Sequence, residues 1–304
     1  MNTGVGIWTD EDTERAMIEN RGLSTDKYIR GSRLGLGGSS IVLKIRRVSD
    51  GKVLAGKSSK APEDLRREAD TLKLLRHDHI VAFVELYQDV LSPGSDLLLM
   101  ELCPHGTLQA RIDQATPHMA RGEILTVVLH VARGLGYLHA RGLYHSDVKP
   151  RNVLIRTFHP VHVVLADFAD VRISGQPGKL QGTPAYWSPE MKARGEHCGA
   201  ADDMWALGVT LLGMVGQWPQ MVYTESELEM YPGRCFEHVC GLRELNPGLG
   251  IVELLIGLLA WEAEERMTAE QCVLAVGELR GEEREEAEEL GITSPEAFRP
   301  MSFW

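Results

Sequence analysis

His145-Ser146-Asp147-Val148-Lys149-Pro150-Arg151-Asn152 is followed by the apolar run Val161–Ala166 and then by Asp167-Phe168-Ala169. Asp147, Asn152 and Asp167 thus recur at short spacing, on what reads as two loops around buried strands. Two carboxylates and an amide so placed suit holding a hard cation and a polyphosphate beside a hydroxyl that must lose its proton. Asp-x-Lys-x-x-Asn alone carries little weight. What decides the fold is the order of motifs on either side.

Upstream, Tyr28–Leu34, Ile41–Arg47 and Lys52–Lys57 are short runs with β-branched residues, punctuated by glycines and by Ser49-Asp50-Gly51. The first turn, Gly35-Leu36-Gly37-Gly38-Ser39-Ser40-Ile41-Val42, lets backbone N–H groups approach phosphate oxygens with no Cβ in the way. By itself it reads as a glycine-rich hairpin. Lys57 ends the third run, and Glu68 lies in the helical pattern that continues through Leu72 and Leu75, so the two can form an ion pair. Two further strands are expected at Ile80–Tyr87 and Leu97–Glu101, and Pro104-His105-Gly106 then breaks the chain. Apolar residues at helical spacing over Glu123–His139 predict the helix that delivers the chain into the organising stretch. Downstream come Gly182-Thr183-Pro184-Ala185-Tyr186, Ser188-Pro189-Glu190, a helix opening at Asp203, and Arg266.

Taken in this order the chain resembles the eukaryotic-type protein kinase family, nearest the Ser/Thr branch, from Tyr28 to about Leu279. The fold class implied is α+β and bilobal: a small antiparallel sheet with one helix, then a larger, mainly α-helical lobe. The boundaries expected are an extension over 1–26, the smaller lobe over 27–103, the larger over 104–280, and an acidic and Pro/aromatic tail over 281–304. The resemblance implies ATP and Mg2+ as cofactors and a protein substrate with a Ser or Thr acceptor. Asp147 takes the role of catalytic base or hydroxyl orienter, Lys149 contacts the transferred phosphate, and Lys57, held by Glu68, reaches the ATP phosphates. Asn152 and Asp167 hold magnesium. Gly35, Gly37 and Gly38 cover the phosphates, Met100 guards the back of the adenine pocket, and Val42, Ala55 and Leu154 are further cofactor-binding residues. Glu101 to Cys103 form the hinge that hydrogen-bonds the base, with Cys103 as an exposed thiol there. His145, Asp203 and the Glu190–Arg266 pair are implied to be structural.

Three departures from the family pattern stand out. Ser40 replaces the third glycine of the loop, Ser146 replaces the arginine that clamps a phosphorylated activation loop, and Ala169 follows Asp167-Phe168 in place of glycine. Without the guanidinium at position 146, loop phosphorylation loses its usual partner, so activity is expected without it. The departures motivate the rival reading of a pseudokinase acting as a binding or scaffolding module. A kinase-like enzyme for small molecules is a third reading, opposed by Ser188-Pro189-Glu190, the Asp203 helix and Arg266. Thr107 and Arg151 occupy positions that are often acidic in kinases preferring basic substrates, which argues against strong Arg-directed specificity.

Composition sets the outer bounds. Hydrophobic residues make up 43% of the 304 and charged ones 25%, ordinary for a globular protein. A net charge of -11 argues against a general nucleic-acid binder. The apolar stretches, Ala206–Gly216 and Leu254–Trp261 among them, are too short to span a bilayer. Five scattered cysteines (Cys103, Cys198, Cys235, Cys240, Cys272) form no Cys-x-x-Cys pair. They suggest reduced thiols in a soluble cytoplasmic or nuclear protein. Thr9 or Asp10 is expected to cap a short helix ended by Gly22. The acidic run Glu282–Glu289 reads as a solvated helix end, with an interaction tail as the second reading, and the Pro/aromatic end from Ser294 to Trp304 as a segment that docks onto the chain's own surface or onto a partner. No residue pattern speaks to oligomeric state.

Overall fold

A computed structural model describes residues 27–38, 40–88, 96–114, 119–175, 182–195, 199–219 and 225–289. The expected helix near Thr9, Cys198 and the tail beyond residue 289 lie outside them. The chain divides into two compact units, Met1–Pro104 and His105–Trp304.

The first unit is one antiparallel sheet and a helix. Its strands are β1 (Tyr28–Leu36), β2 (Ser40–Arg47), β3 (Val53–Ser59), β4 (Phe83–Tyr87) and β5 (Leu97–Glu101), in the order β1-β2-β3-β5-β4. Alternation splits the sheet into two faces. Ile41, Leu43, Ile45, Leu54, Leu97 and Leu99 join Tyr28 in a buried cluster on one face. Val42, Lys57 and Leu98 pair across the strands on the other, as do Lys44, Ala55 and Met100. Gly56 belongs to the cluster face: a Cβ there would stand 2.6 Å from Ile45 Cγ1, so the apolar cluster closes over bare backbone.

Helix α1 (Pro62–Leu74) begins with Pro62 and carries Glu63 and Asp64 in its first turn, both suited to a helix N-terminus. Its buried stripe is Leu65, Glu68, Ala69 and Leu72. A carboxylate therefore sits where helical spacing calls for an apolar residue. The strand expected from Ile80 starts only at Phe83. Ile80 N donates back to His77 O at 3.1 Å in a turn, and Ile80 and Val81 are buried without joining the sheet as strand residues.

The second unit is mainly helical. In chain order it holds α2 (Leu108–Ile112), α3 (Arg121–His139), β6 (Leu143–Tyr144), β7 (Val153–Phe158), β8 (Val161–Leu165), β9 (Arg172–Ile173), α4 (Pro189–Arg194), α5 (Ala200–Met214), α6 (Glu225–Leu245), α7 (Gly250–Leu258) and α8 (Ala269–Glu289). Single 3-10 turns occupy Pro150–Asn152 and Pro184–Tyr186. Helix α3 packs against α5, α8 and β8, and α5 also packs against α7. Trp205, Leu207, Val209, Leu211 and Leu212 of α5 are fully buried, so its continuous apolar run is that of a central helix. This helix opens at Ala200, three residues before Asp203. Asp202 serves its N-terminus, accepting a hydrogen bond from Gly199 N at 3.1 Å. No described helix is long and apolar enough to cross a membrane.

Candidate functional site

In the second unit, the pairing of β7 with β8 brings Asn152, the end of the His145–Asn152 stretch, beside the segment that leads into Asp167. Val153 pairs with Leu165, and Ala166 N donates to Asn152 O at 2.8 Å. Asp147 is buried, and its carboxylate is surrounded by donors. Oδ2 accepts from Lys149 Nζ at 2.6 Å and from Asn152 Nδ2 at 2.8 Å. Oδ1 accepts from Thr183 N at 3.1 Å and Thr183 Oγ1 at 3.0 Å. Lys149 Nζ also donates to Thr183 Oγ1 at 2.7 Å. Donors on both oxygens hold the carboxylate in one orientation.

Asn152 also donates to Asp147 O at 2.8 Å. Its amide nitrogen is thus spent within the loop. Asp167 adopts a left-handed backbone, φ 65°, uncommon for a residue with a side chain. Burial, then the charges of Asp147 and Asp167, raise the pKa of neighbouring Asp170. Three carboxylates here concentrate negative potential, an environment that favours a divalent cation. Among the described residues no group of three or more His, Cys, Asp or Glu could hold a metal ion. One carboxylate and one amide are few ligands for a cation, the pattern by which Mg2+ takes its other ligands from phosphates and water.

The frame beneath this loop is polar and buried. Asp203 Oδ1 accepts from Ser146 N at 2.8 Å, and Oδ2 accepts from His145 N at 2.8 Å. His139 Nε2 lies 2.9 Å from Oδ2. Burial alone would raise the Asp203 pKa, but His139 and His145 outweigh it and the net direction is down. His145 Nε2 meets Ala166 O at 3.1 Å, and its ring packs on Phe168 with centroids 5.1 Å apart. Arg266 pairs through both terminal nitrogens with Glu190 and also donates to the carbonyls of Ala201, Ala260 and Trp261. Ser188 caps α4 and donates to Asp202 Oδ1 at 2.6 Å.

In the first unit, Lys57 Nζ donates to Glu68 Oε2 at 2.6 Å, and both side chains are buried. Val42, Ala55 and Met100 lie on the same sheet face as Lys57. Gly37 N closes the first turn on Ser40 O at 2.8 Å. A Cβ on Gly35 or Gly38 would meet no atom within 4 Å, and neither has a positive φ. Among the described residues, neither a positive φ nor close packing demands glycine at these two positions, and a register irregularity between Arg33 and Gly35 interrupts the strand there. Glu101 is committed to Ala82, through its own N–H at 3.0 Å and through its carboxylate at 2.8 Å. Cys103 is buried, so the expectation of an exposed thiol is corrected: neighbouring chain covers the sulfur. Leu154 lies in the second unit on β7, bridged to Thr107.

Three contributors were not legible as parts of the site. Thr183 stands in the sequence only as part of the Gly182–Tyr186 motif, yet it bonds both Asp147 and Lys149. His139 closes its helix and turns to Asp203 across 64 residues of sequence. Gly182 has φ 86°, and a Cβ there would stand 2.7 Å from Ser146 O and 3.3 Å from Asp147 Oδ1. The signal for Gly182 was its place before Thr183-Pro184; only the fold shows what it touches.

Residues 28–275 match the family model described as protein kinase domain. Mitogen-activated protein kinase kinase kinase 17 of Arabidopsis thaliana is 30% identical over 81% of this chain and 68% of its own length. A probable myosin light chain kinase of Dictyostelium discoideum is 31% identical over 67% of this chain and 58% of its own. The serine/threonine-protein kinase ULK3 of Rattus norvegicus is 34% identical over 67% of this chain and 45% of its own. The chain therefore spans about half of the length of some relatives and two thirds of another.

Proposed function

Since the chain belongs to the protein kinase family, we propose that it transfers the terminal phosphoryl group of ATP to Ser or Thr hydroxyls of protein substrates, with Mg2+ as the metal. The observation that carries the proposal is the Asp147 carboxylate, fixed by Lys149, Asn152 and Thr183. In this reading Asp147 orients the substrate hydroxyl and accepts its proton, and Lys149 offsets charge on the transferred group. Asn152 and Asp167 hold the Mg2+, which supplies charge neutralisation. Lys57, steadied by Glu68, holds ATP phosphates beneath Gly35, Gly37 and Gly38. Val42, Ala55, Met100 and Leu154 contact the base, with backbone groups from Glu101 to Cys103 as its hydrogen-bonding partners. Catalysis would come mainly from positioning and electrostatics.

Activity without activation-loop phosphorylation is part of the proposal. Its support is that the loop is tied at both ends by unmodified residues: β9 pairs with β6, and Thr183 bonds Asp147 and Lys149. Ser146, at φ 66°, offers no cation to a phosphate. Ala169 has no positive φ, so the missing glycine is accommodated without strain. The reduced cytoplasm or nucleus is the proposed setting, supported by four described cysteines that are free thiols.

The test is ADP formation from Mg-ATP with a generic Ser/Thr peptide, using wild type verified as unphosphorylated by mass spectrometry. Wild type is expected to turn over, Asp147→Asn to lose roughly 10²–10⁴ in rate, the scale of a positioned acid–base group, and Asp167→Asn, which weakens the hold on Mg2+, to lose nearly all activity. A silent wild type that still gains thermal stability from ATP would instead support a nucleotide-binding scaffold.

A further inference from the structure

We propose that Arg66 and Asp96 are positioning residues, a charged tie that sets α1 so that Glu68 holds Lys57 in one place; this rests on the phosphoryl-transfer reading above. Asp96 directly precedes β5, and its side chain is buried, 5% exposed. Arg66 Nε donates to Asp96 Oδ2 at 3.0 Å, and Arg66 Nη2 lies 2.9 Å from the same oxygen. The arginine side chain is 47% exposed. The helix thus reaches in from the surface to a carboxylate that is withdrawn from water. A buried carboxylate is costly without a partner, so Asp96 is satisfied only where α1 brings the guanidinium to it.

This tie stands beside the Lys57 site. Lys57 pairs with Leu98 across β3 and β5. Asp96 comes two residues before Leu98, so strand alternation puts it on the face that carries Lys57. Helix α1 packs on β3, β4 and β5, and Glu68, two residues after Arg66, accepts from Lys57 Nζ at 2.6 Å. One turn of α1 is therefore tied by charge both to β3 and to the start of β5.

The rest of the buried stripe of α1 is apolar: Leu65, Ala69 and Leu72. Apolar burial is non-directional and lets a helix turn or slide. The Lys57 ammonium, on a flexible four-carbon stem, can follow Glu68 as it moves. A guanidinium anchored on a buried carboxylate removes that freedom, because charge-assisted hydrogen bonds hold only at short distance. The net stability such a pair supplies is small. What it supplies instead is the place of Glu68 against the sheet.

The experiment uses the full chain and reads the Kd for Mg-ATP by calorimetry, the KM for ATP and for a Ser peptide, and urea unfolding. Arg66→Gln should raise Kd and KM for ATP by about 5-fold, within the range of coupling between neighbouring residues, and leave the peptide KM unchanged. Arg66→Met combined with Asp96→Leu removes both charges. Stability should then return to that of wild type, while the ATP Kd stays raised. A pair that only supports the fold would recover both together, and that result overturns the proposal. Glu85→Gln, which cuts the tie of β4 to Lys27 and Tyr28, is the control and should keep the wild-type ATP Kd. Acylation of Lys57 by an N-hydroxysuccinimide ester, followed by mass spectrometry, requires no nucleotide. Its rate should rise about 5-fold in Arg66→Gln and in the double variant; an unchanged rate in both also overturns the proposal. A wild type that forms no ADP therefore counts against the kinase reading alone, while Lys57 acylation still decides the role of Arg66 and Asp96.

Discussion

The two units hold their charged groups by opposite means. In the first, the buried Lys57 ammonium meets the Glu68 carboxylate, and regular elements do the placing: strand register on one side, a helical stripe on the other. In the second, one carboxylate receives donors from three residues, and irregular backbone does the placing. Ser146 and Asp167 have positive φ, and Gly182 lies against Ser146 O. Such conformations cost of order 1–3 kcal/mol each and persist where the surroundings over-determine them. Secondary structure thus delivers the buried Lys57–Glu68 contact at little backbone cost. Several convergent hydrogen bonds on one carboxylate require loops, and the loops require residues that tolerate strain.

The largest effect expected from this contrast is in the first unit. Glu68→Ala leaves the Lys57 ammonium buried without its carboxylate, and urea denaturation should show a loss of about 3–5 kcal/mol. Replacing both residues with methionine should restore most of it, because the desolvation cost disappears with the charges. A single-variant loss below about 1 kcal/mol, the ceiling for a typical exposed pair, would mean that the pair behaves like a surface one, and the contrast would fail.

The same contrast explains what was readable before the fold was known. The strand around Lys57 and the helix around Glu68 announce themselves through β-branched runs and three-to-four-residue spacing. Leu97–Glu101 was read with its bounds as observed. The start of β4 was misread because Ile80 and Val81 are buried like strand residues, and burial by itself does not fix hydrogen bonding. Adjacent Asp202 and Asp203 were not separable: one serves its helix end and the other receives the catalytic-loop amides, a division set by segments more than 50 residues apart. Thr183 and Gly182 reach Asp147 across about 36 residues, a distance that local pattern does not encode. Burial of Cys103 likewise depends on neighbours that spacing leaves unspecified.

A smaller effect tests the second unit's dependence on special backbone. Gly182→Ala adds a Cβ 2.7 Å from Ser146 O at a residue with φ 86°. The strain should cost roughly 1–3 kcal/mol in thermal or urea unfolding, with a disproportionate fall in kcat as Thr183 is displaced from Asp147. Gly175→Ala, also at positive φ but with open space for its Cβ, serves as the control. It should share the conformational cost and spare kcat. Equal effects on kcat from both variants would mean that the close approach to Ser146 carries no functional weight.

The smallest effect concerns the buried carboxylate under the catalytic loop. Burial opposes the Asp203 charge, yet His139 and His145 bring its pKa below the ordinary carboxylate value. A depressed carboxylate stabilises the folded state fully above its unfolded pKa, about 3.9, and this contribution is lost as pH falls through the lower folded value. Unfolding free energy measured between neutral pH and pH 3 should therefore decline more for wild type than for Asp203→Asn. The variant keeps the shape but has no charge to lose, and starts from lower stability at neutral pH. Parallel pH curves for the two proteins would show that Asp203 acts through shape and neutral hydrogen bonds alone. The second unit's frame would then resemble its loops, held by geometry, and would not share the electrostatic character of the Lys57–Glu68 pair.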